Sequence, residues 1–462
     1  MLAPIRPSIA HSDLRSALER HRRFDPGQLA GRRWPIGCVS LEVTQRCNLD
    51  CSLCYLSDLS EAARDLPLAE LIRRIDQIAE RYGPDTDIQI SGGDPTLRPL
   101  ADLVAIVRHI RARGLRCSLF TNGILATRAL LETLADAGLN DVAFHVDLTQ
   151  QRKGFATEAS LNRLRVEYLA RARGLGLSVY FNTTVFAGNV GEVAMLARFF
   201  VAHADEIDFV SFQLQADTGR GVLRARADAI TQARIEALIA EGVGVAPNFD
   251  SIRVGHPECN RFAMLFVAGG HAIDALAETR LVHRFVALTA DLEATRGTPI
   301  RTATRFVARA ATRGFLLDGL AWFARLAWRL RRGLPKAVMR MLLNGRAPVR
   351  KLSLMTHNFM DAKALDDERL ACCVFMAASI DGPVPMCRYN AERDHWLSRP
   401  VPLADGTVWE PLAGRVPAIA QRSTGSGTGT GTPVSPAVAI PIKWLKGRAR
   451  ETALRARRRG IA

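Results

Sequence analysis

From about residue 38 to residue 215, short apolar runs rich in β-formers alternate with longer stretches of helical periodicity. Six strands can be read: CVSLEVT (Cys38 to Thr44), DIQIS (Asp87 to Ser91), RCSLFT (Arg116 to Thr121), DVAFHVD (Asp141 to Asp147), SVYFNTTV (Ser178 to Val185) and FVSFQLQ (Phe209 to Gln215). Between them apolar residues recur three and four apart, as in LAELIRRIDQIAERYG, where Leu68, Leu71, Ile72, Ile75 and Ile78 share one helix face.

Strands that alternate with helices, in runs apolar enough to be covered on both faces, predict a parallel sheet with crossover helices. Six repeats predict an α/β fold of the open kind: a partial (β/α)6, TIM-like barrel, followed by a cysteine-containing C-terminal extension. In such barrels the chemistry gathers where the loops after the strands converge over the mouth. Beyond residue 220 the regularity fades, and Ser423 to Pro436 (STGSGTGTGTPVSP) lacks the apolar surface to fold. The chain divides into an N-terminal extension (1–37), the barrel (38–220), an extension with basic helices and further cysteines (221–400), a linker including the Ser/Gly/Thr-rich stretch (401–436) and a basic tail (437–462).

Of the 462 residues, 48% are hydrophobic and 23% charged, the balance of a folded chain, and the formal net charge is +16. The excess is local. Gly319 to Lys351 holds nine basic residues and no acidic one, interleaved with Trp322, Phe323 and Trp328, and the tail from Lys443 adds eight basic residues against Glu451. Those two segments account for the whole imbalance, leaving the barrel and the rest of the chain together balanced. A basic amphipathic helix with tryptophan suits an anionic membrane surface, and no RNA-binding signature accompanies it. No apolar run reaches the roughly 18 residues of a spanning helix, and charges fall where a signal peptide would be apolar. The expected location is cytoplasmic, peripheral at the inner face of the membrane.

Nine cysteines remain to be explained. Directly after the first strand, TQRCNLDCSLCYL sets Cys47, Cys51 and Cys54 in a C-x3-C-x2-C spacing. Three thiolates can hold three irons of a [4Fe–4S] cube and leave one open. The competing zinc reading needs a fourth ligand. With this loop the chain resembles the radical S-adenosylmethionine (radical SAM) superfamily, over residues 38 to about 215. The resemblance implies that the open iron chelates S-adenosylmethionine, which is reductively cleaved to a 5′-deoxyadenosyl radical, with flavodoxin or ferredoxin as the reductant. Leu53 stands where many members carry an aromatic residue. SGGDPTL (Gly92, Gly93, Asp94, Pro95) is similar to the family's GGEP motif, whose acidic side chain is expected at the methionine amino group. Asn122, Asp147, Asn182 and Gln213, at strand ends, resemble positions that hold the ribose and carboxylate; Gln215 lies nearby, and His145 reads as a satisfied core histidine.

Four further cysteines, Cys259, Cys372, Cys373 and Cys387, match the ligand count of a second cluster, although adjacent Cys372 and Cys373 make an awkward bite, so that one is expected to ligate while its neighbour packs or faces the substrate. Unpaired reduced thiols are the plain alternative, and Cys38 and Cys117, within strands, fit it. His357, Asp361, Arg369, the Cys pair, the DG-x3-P-x-C-x2-N pattern and HPEC resemble the C-terminal region of tetraether lipid synthases and pterin-methyltransferase-like relatives. That resemblance implies an auxiliary [4Fe–4S] cluster and chemistry on a lipid-like substrate: carbon–carbon bond formation, or methyl or methylene transfer. A peptide or small heterocycle as substrate, and a non-catalytic cluster-bearing adaptor, are the two rival readings.

Overall fold

A computed structural model describes residues 9–223, 230–290, 292, 299–312, 314–344 and 347–417. The Ser/Gly/Thr-rich stretch and the basic tail lie outside the described residues. After α1 (Ile9–Arg20) come β1 (Cys38–Thr44), α2 (Leu68–Tyr82), β2 (Asp87–Gly92), α3 (Leu100–Ala112), β3 (Arg116–Thr121), α4 (Arg128–Asp136), β4 (Asp141–His145), α5 (Glu158–Ala172), β5 (Ser178–Val185), α6 (Val193–Ala202) and β6 (Phe209–Leu214). Each strand ends within two residues of its position in the sequence reading. They pair in parallel in chain order, with Val39 opposite Ile88, Ile88 opposite Cys117, Leu119 opposite Val142, and Phe144 opposite Phe181. This is the (β/α)6 partial barrel expected.

Alternation along each strand separates two faces. Val39, Leu41, Ile88, Ile90, Leu119, Phe144, Phe181 and Phe212 are fully buried in one cluster with Leu71, Ile75, Ile106, Leu131 and Phe200 of the helices. Each such side chain contributes about 1.5–3 kcal/mol through burial. The opposite face carries Ser40, Glu42, Ser91, Ser118, His145, Asn182, Ser211 and Gln213. The strands are therefore not apolar on both faces, because the concave side is a polar bore rather than a second helix-packing surface.

The extension does not fold apart from the barrel. It contains α7 (Gln232–Val243), β7 (Ile252–Arg253), β8 (Asn260–Ala268), β9 (His271–Asp274), α8 (Thr279–Leu288), α9 (Pro299–Thr312), α10 (Leu316–Leu330), α11 (Leu334–Asn344), β10 (Arg350–Asn358), α12 (Asp367–Ala371), β11 (Phe375–Ser379), β12 (Gly382–Pro385), α13 (Met386–Ala391) and α14 (Arg393–Ser398). A small sheet of β13 (Val401–Pro402), β14 (Thr407–Glu410) and β15 (Gly414–Pro417) follows. β10 adds in parallel to β6, and β11 adds in parallel to β1, giving the order β12-β11-β1-β2-β3-β4-β5-β6-β10-β8-β7. The two flanks meet: the His357 ring of β10 lies 4.9 Å, edge to face, from Phe375 of β11. The extension thus covers the seam of the open barrel. α10 and α11 dock through Leu326, Leu330 and Ala337 onto Phe266, Ala268 and Ile273. Gly333 between them is required, since a Cβ there would stand 2.0 Å from the Ala268 carbonyl oxygen.

Candidate functional site

The three-cysteine loop leaves β1 and is gripped from three sides. Ser52 N donates to Thr149 O (2.7 Å) beyond β4, while Gly221 N donates to Cys54 O and Leu223 N to Ser52 O, both at 3.1 Å, beyond β6. From β3, the Asn122 amide donates to Asn48 Oδ1 (2.6 Å) and reaches Cys47 Sγ (4.0 Å). The loop after β2 lies closest: Gly93 N donates to Thr44 O (2.9 Å) and Asp94 N to Arg46 O (2.8 Å). A Cβ on Gly92 would stand 2.0 Å from Thr44 O, and one on Gly93 2.1 Å from Arg46 O. The paired glycines are demanded by this backbone-on-backbone contact.

The donor set fits an iron–sulfur cluster. Cys47, Cys51 and Cys54 are free thiols. Burial pushes Cys47 up to about 11 and Cys51 well above its ordinary value, each raised further by the neighbouring cysteines. Three thiols are one short of the four ligands of a structural zinc site, and are the number that a cube with one open iron takes. Arg220, paired with Glu61 at 2.6 Å, lies beside Cys54; burial would lower its pKa, but the thiolate and the carboxylate outweigh burial and raise it. Such a cation offsets thiolate charge in a buried site.

The polar residues read at the strand ends fall into two groups. Gly92, Gly93, Asp94, Pro95 and Asn122 surround the cysteine loop. Asp94, however, is wholly buried and spent inside the protein: Oδ1 accepts from Thr96 N (3.0 Å) and Oδ2 from Thr121 Oγ1 (2.9 Å) and Asn122 N (2.8 Å). Its side chain ties the loop after β2 to the loop after β3 instead of facing a ligand ammonium. Asp147 is likewise wholly buried, accepting from Thr149 N (2.9 Å) and Thr184 N (2.7 Å) and pairing with His145 Nε2 at 2.6 Å. Burial would raise Asp147, but His145 and these donors hold it at about 2; burial would lower His145, but Asp147 raises it. His145 is thus paired. Asn182, beside His145 and Ser211 in register, is buried with Nδ2 unpartnered, as is Ser211 Oγ. These two bore-facing groups need a ligand or water. Gln213 stands opposite Thr184 and His357, and Gln215 turns away to donate to Leu223 O (2.8 Å).

At the seam, the second cysteine set divides. Cys259 Sγ accepts from Arg369 Nε (3.2 Å), Cys387 Sγ accepts from Met360 N (3.5 Å), and Cys373 Sγ donates to Phe375 O (3.0 Å). Burial, then Cys387 and Cys259, push Cys373 up to about 12. Cys372 instead packs among Leu14, Ala17, Leu18 and Val374. A C-cap turn at the end of α12 splits the adjacent pair, sending one thiol toward α1 and the other toward Cys259 and Cys387. His357 beside them, bonded to Asn260 Oδ1 (2.8 Å), is held neutral by burial, which pulls it to about 3.

Residues 41–200 match the radical SAM superfamily. They form a radical SAM domain. Domains of this superfamily work with a [4Fe–4S] cluster and S-adenosylmethionine, and the chain is similar to several of its enzymes. A 7,8-dihydro-6-hydroxymethylpterin dimethyltransferase from Methanocaldococcus jannaschii is 29% identical over 43% of this chain and 40% of its own. A PqqA peptide cyclase from Methylorubrum populi is 31% identical over 34% and 41%, and a probable GTP 3′,8-cyclase from Pyrococcus abyssi 33% over 36% and 53%. The chain thus spans about half or less of the length of these curated relatives. Among solved structures, Streptococcus suis SuiB bound to its precursor peptide SuiA aligns over 50% of each chain at 14% identity and a TM-score of 0.37.

Sequence reasoning missed Tyr55 and Arg220. Tyr55 adjoins Cys54 and could have drawn notice, whereas Arg220 enters the site only because the chain returns from β6.

Proposed function

We propose that the chain is a radical SAM enzyme acting on a lipid-like or otherwise large apolar substrate at an anionic membrane surface, forming a carbon–carbon bond or transferring a methyl or methylene unit. When bound, the cluster and S-adenosylmethionine supply a 5′-deoxyadenosyl radical that removes a substrate hydrogen atom. Cys47, Cys51 and Cys54 hold that cluster, Arg220 balances its charge, and the glycine loop with Asn122, Asn182 and Gln213 lines the cofactor pocket. Cys259, Cys373 and Cys387 hold an auxiliary cluster, with Cys372 outside the ligand set. The reductant is a flavodoxin or ferredoxin.

One observation carries the apolar substrate: the uncovered face of α10 and α11. Leu317 is 80% exposed, Trp328 66%, Leu342 74% and Leu343 73%, with Leu320, Phe323 and Met339 also exposed. Patches of this kind mark protein or membrane contacts. Arg329, Arg331, Arg332 and Lys336 flank the face, and Asp318, the one acid of these helices, is paired with Arg284. Each cation gains about 1 kcal/mol near an anionic leaflet. No helix among the described residues is long and apolar enough to cross a membrane; the contact proposed is an interfacial one.

The test is cosedimentation with phosphatidylserine vesicles. Binding at low salt is expected, weakened by Leu317→Asp with Leu342→Asp and by deleting residues 437–462; no binding refutes the lipid reading. A peptide or pterin-like heterocycle then takes its place, as the similarity to a peptide cyclase and a pterin dimethyltransferase would favour. Anaerobic reconstitution is expected to give about eight irons per chain. About four sinks the auxiliary cluster, and stoichiometric zinc without iron sinks the whole reading. Formation of 5′-deoxyadenosine with dithionite eliminates a non-catalytic adaptor.

A further inference from the structure

Arg393 of α14 reaches the bore side of β1 from the far end of the chain. Its side chain is 2% exposed, and Nη1 donates to both carboxylate oxygens of Glu42 at 2.8 and 2.9 Å. Nη2 donates to Asn390 Oδ1 (2.6 Å). The guanidinium carbon lies over two rings, 4.6 Å from the Tyr55 centroid and 5.0 Å from that of Tyr389. Tyr389 OH and Gln45 Nε2 also donate to Glu42, at 3.2 and 2.7 Å, so the carboxylate is fully engaged. Such hydrogen bonds offset the cost of burying the pair, although Arg393 Nε is buried without a partner.

The position of Tyr55 gives this cluster a consequence beyond packing. It directly follows Cys54, and its hydroxyl donates to the carbonyl of Gly92, the first glycine of the loop after β2. Arg393 therefore holds the ring whose hydroxyl fixes the Gly92–Gly93 peptide, at the point where the cysteine loop and the glycine loop touch. The same short segment, Met386 to Ser398, carries Cys387. Contacts thus run from Arg393 through Tyr55 to Gly92, starting from the segment that carries the seam thiol.

We infer that Arg393 and Tyr55 are positioning residues for S-adenosylmethionine, through which the C-terminal extension sets the affinity of the glycine loop for this cofactor. The inference rests on the radical SAM reading above. Lysine at position 393 keeps the charge opposite Glu42 but loses the donor to Asn390 and the guanidinium that lies over the two rings. Phenylalanine at position 55 keeps the stack and loses only the hydroxyl.

The test uses the full chain, anaerobically reconstituted, with equilibrium dialysis of labelled S-adenosylmethionine, the electron paramagnetic resonance change of the reduced cluster on titration with it, iron content and urea midpoint. Tyr55→Phe is expected to weaken binding about fivefold, the effect of one lost hydrogen bond, with iron and midpoint unchanged. Its KM for the cofactor rises at constant kcat. Arg393→Lys is expected to weaken binding about tenfold, and the double variant to fall within twofold of Arg393→Lys, since both act through one contact. Wild-type affinity in Tyr55→Phe overturns the inference, as does full additivity in the double variant, which would make Arg393 merely structural. Wild-type protein that neither holds iron nor binds the cofactor fails the underlying reading instead, a result distinct from either.

Discussion

Asp94→Asn separates two roles for the acidic residue of the glycine loop. The carboxylate is 0% exposed and accepts from Thr96, Thr121 and Asn122 with both oxygens. An amide offers one acceptor oxygen. If that oxygen keeps Thr96, the new NH2 group faces the Asn122 N–H at the 2.8 Å separation now held by a hydrogen bond, donor against donor. Losing a hydrogen bond to a charged group and stranding a buried donor costs about 2–4 kcal/mol. With a urea dependence of about 2–3 kcal/mol per molar, the midpoint of the apoprotein falls by about 1 M. Cofactor affinity falls with it, because the loops after β2 and β3 are no longer tied. Asp94→Glu is no remedy: an added methylene in a filled site costs about 1–3 kcal/mol. A midpoint unchanged within about 0.2 M, together with abolished S-adenosylmethionine binding, would refute this reasoning and return Asp94 to direct contact with the ligand.

Gly93→Ala puts a Cβ 2.1 Å from Arg46 O, a backbone atom that cannot swing aside, so iron measured by mass spectrometry should drop by about four per chain through loss of the first cube. Glu158 and Arg165, both with fully buried side chains, pair at 2.5 Å, and Glu158→Gln is expected to cost about 3–5 kcal/mol in calorimetric unfolding. Asp147, held at about 2 against an ordinary 3.8, contributes stability that is fully present above pH 3.8 and is lost as pH falls through 2. Its worth is about 2 kcal/mol, so the wild-type unfolding midpoint should drop more steeply than that of Asp147→Asn between pH 4 and pH 2. His145, with its pKa raised, contributes below its unfolded value near 6.5 and loses that contribution as pH rises through the folded value, so His145→Gln should flatten the alkaline limb of the same curve.

Much of the barrel is written locally. Strands and helices are legible because their apolar spacing repeats every two or every three to four residues, and the run from Cys38 to Leu214 has little besides that rhythm. The cysteine loop is equally local: three thiols within eight residues, directly after a strand. Two glycines in the next strand's loop announce a close approach, although the sequence does not say to what.

Tertiary structure decided the rest. Only the folded sheet sets β10 against β6 and β11 against β1, and so turns residues 350–385 from an appendage into the wall of the seam. Asp94 and Asp147 read as open acceptors in sequence because nothing local says that Thr121, Asn122 and Thr184, 27 to 37 residues away, will consume their oxygens. Likewise Cys372 and Cys373 are neighbours in sequence yet face different surroundings, a division made by the turn that ends α12. Arg393 meets Glu42 across 351 residues. Periodicity and spacing are properties of adjacent residues and survive in one dimension. Which buried polar group answers which other one depends on contacts that exist only after the sheet has closed, and it is those contacts that shape the site.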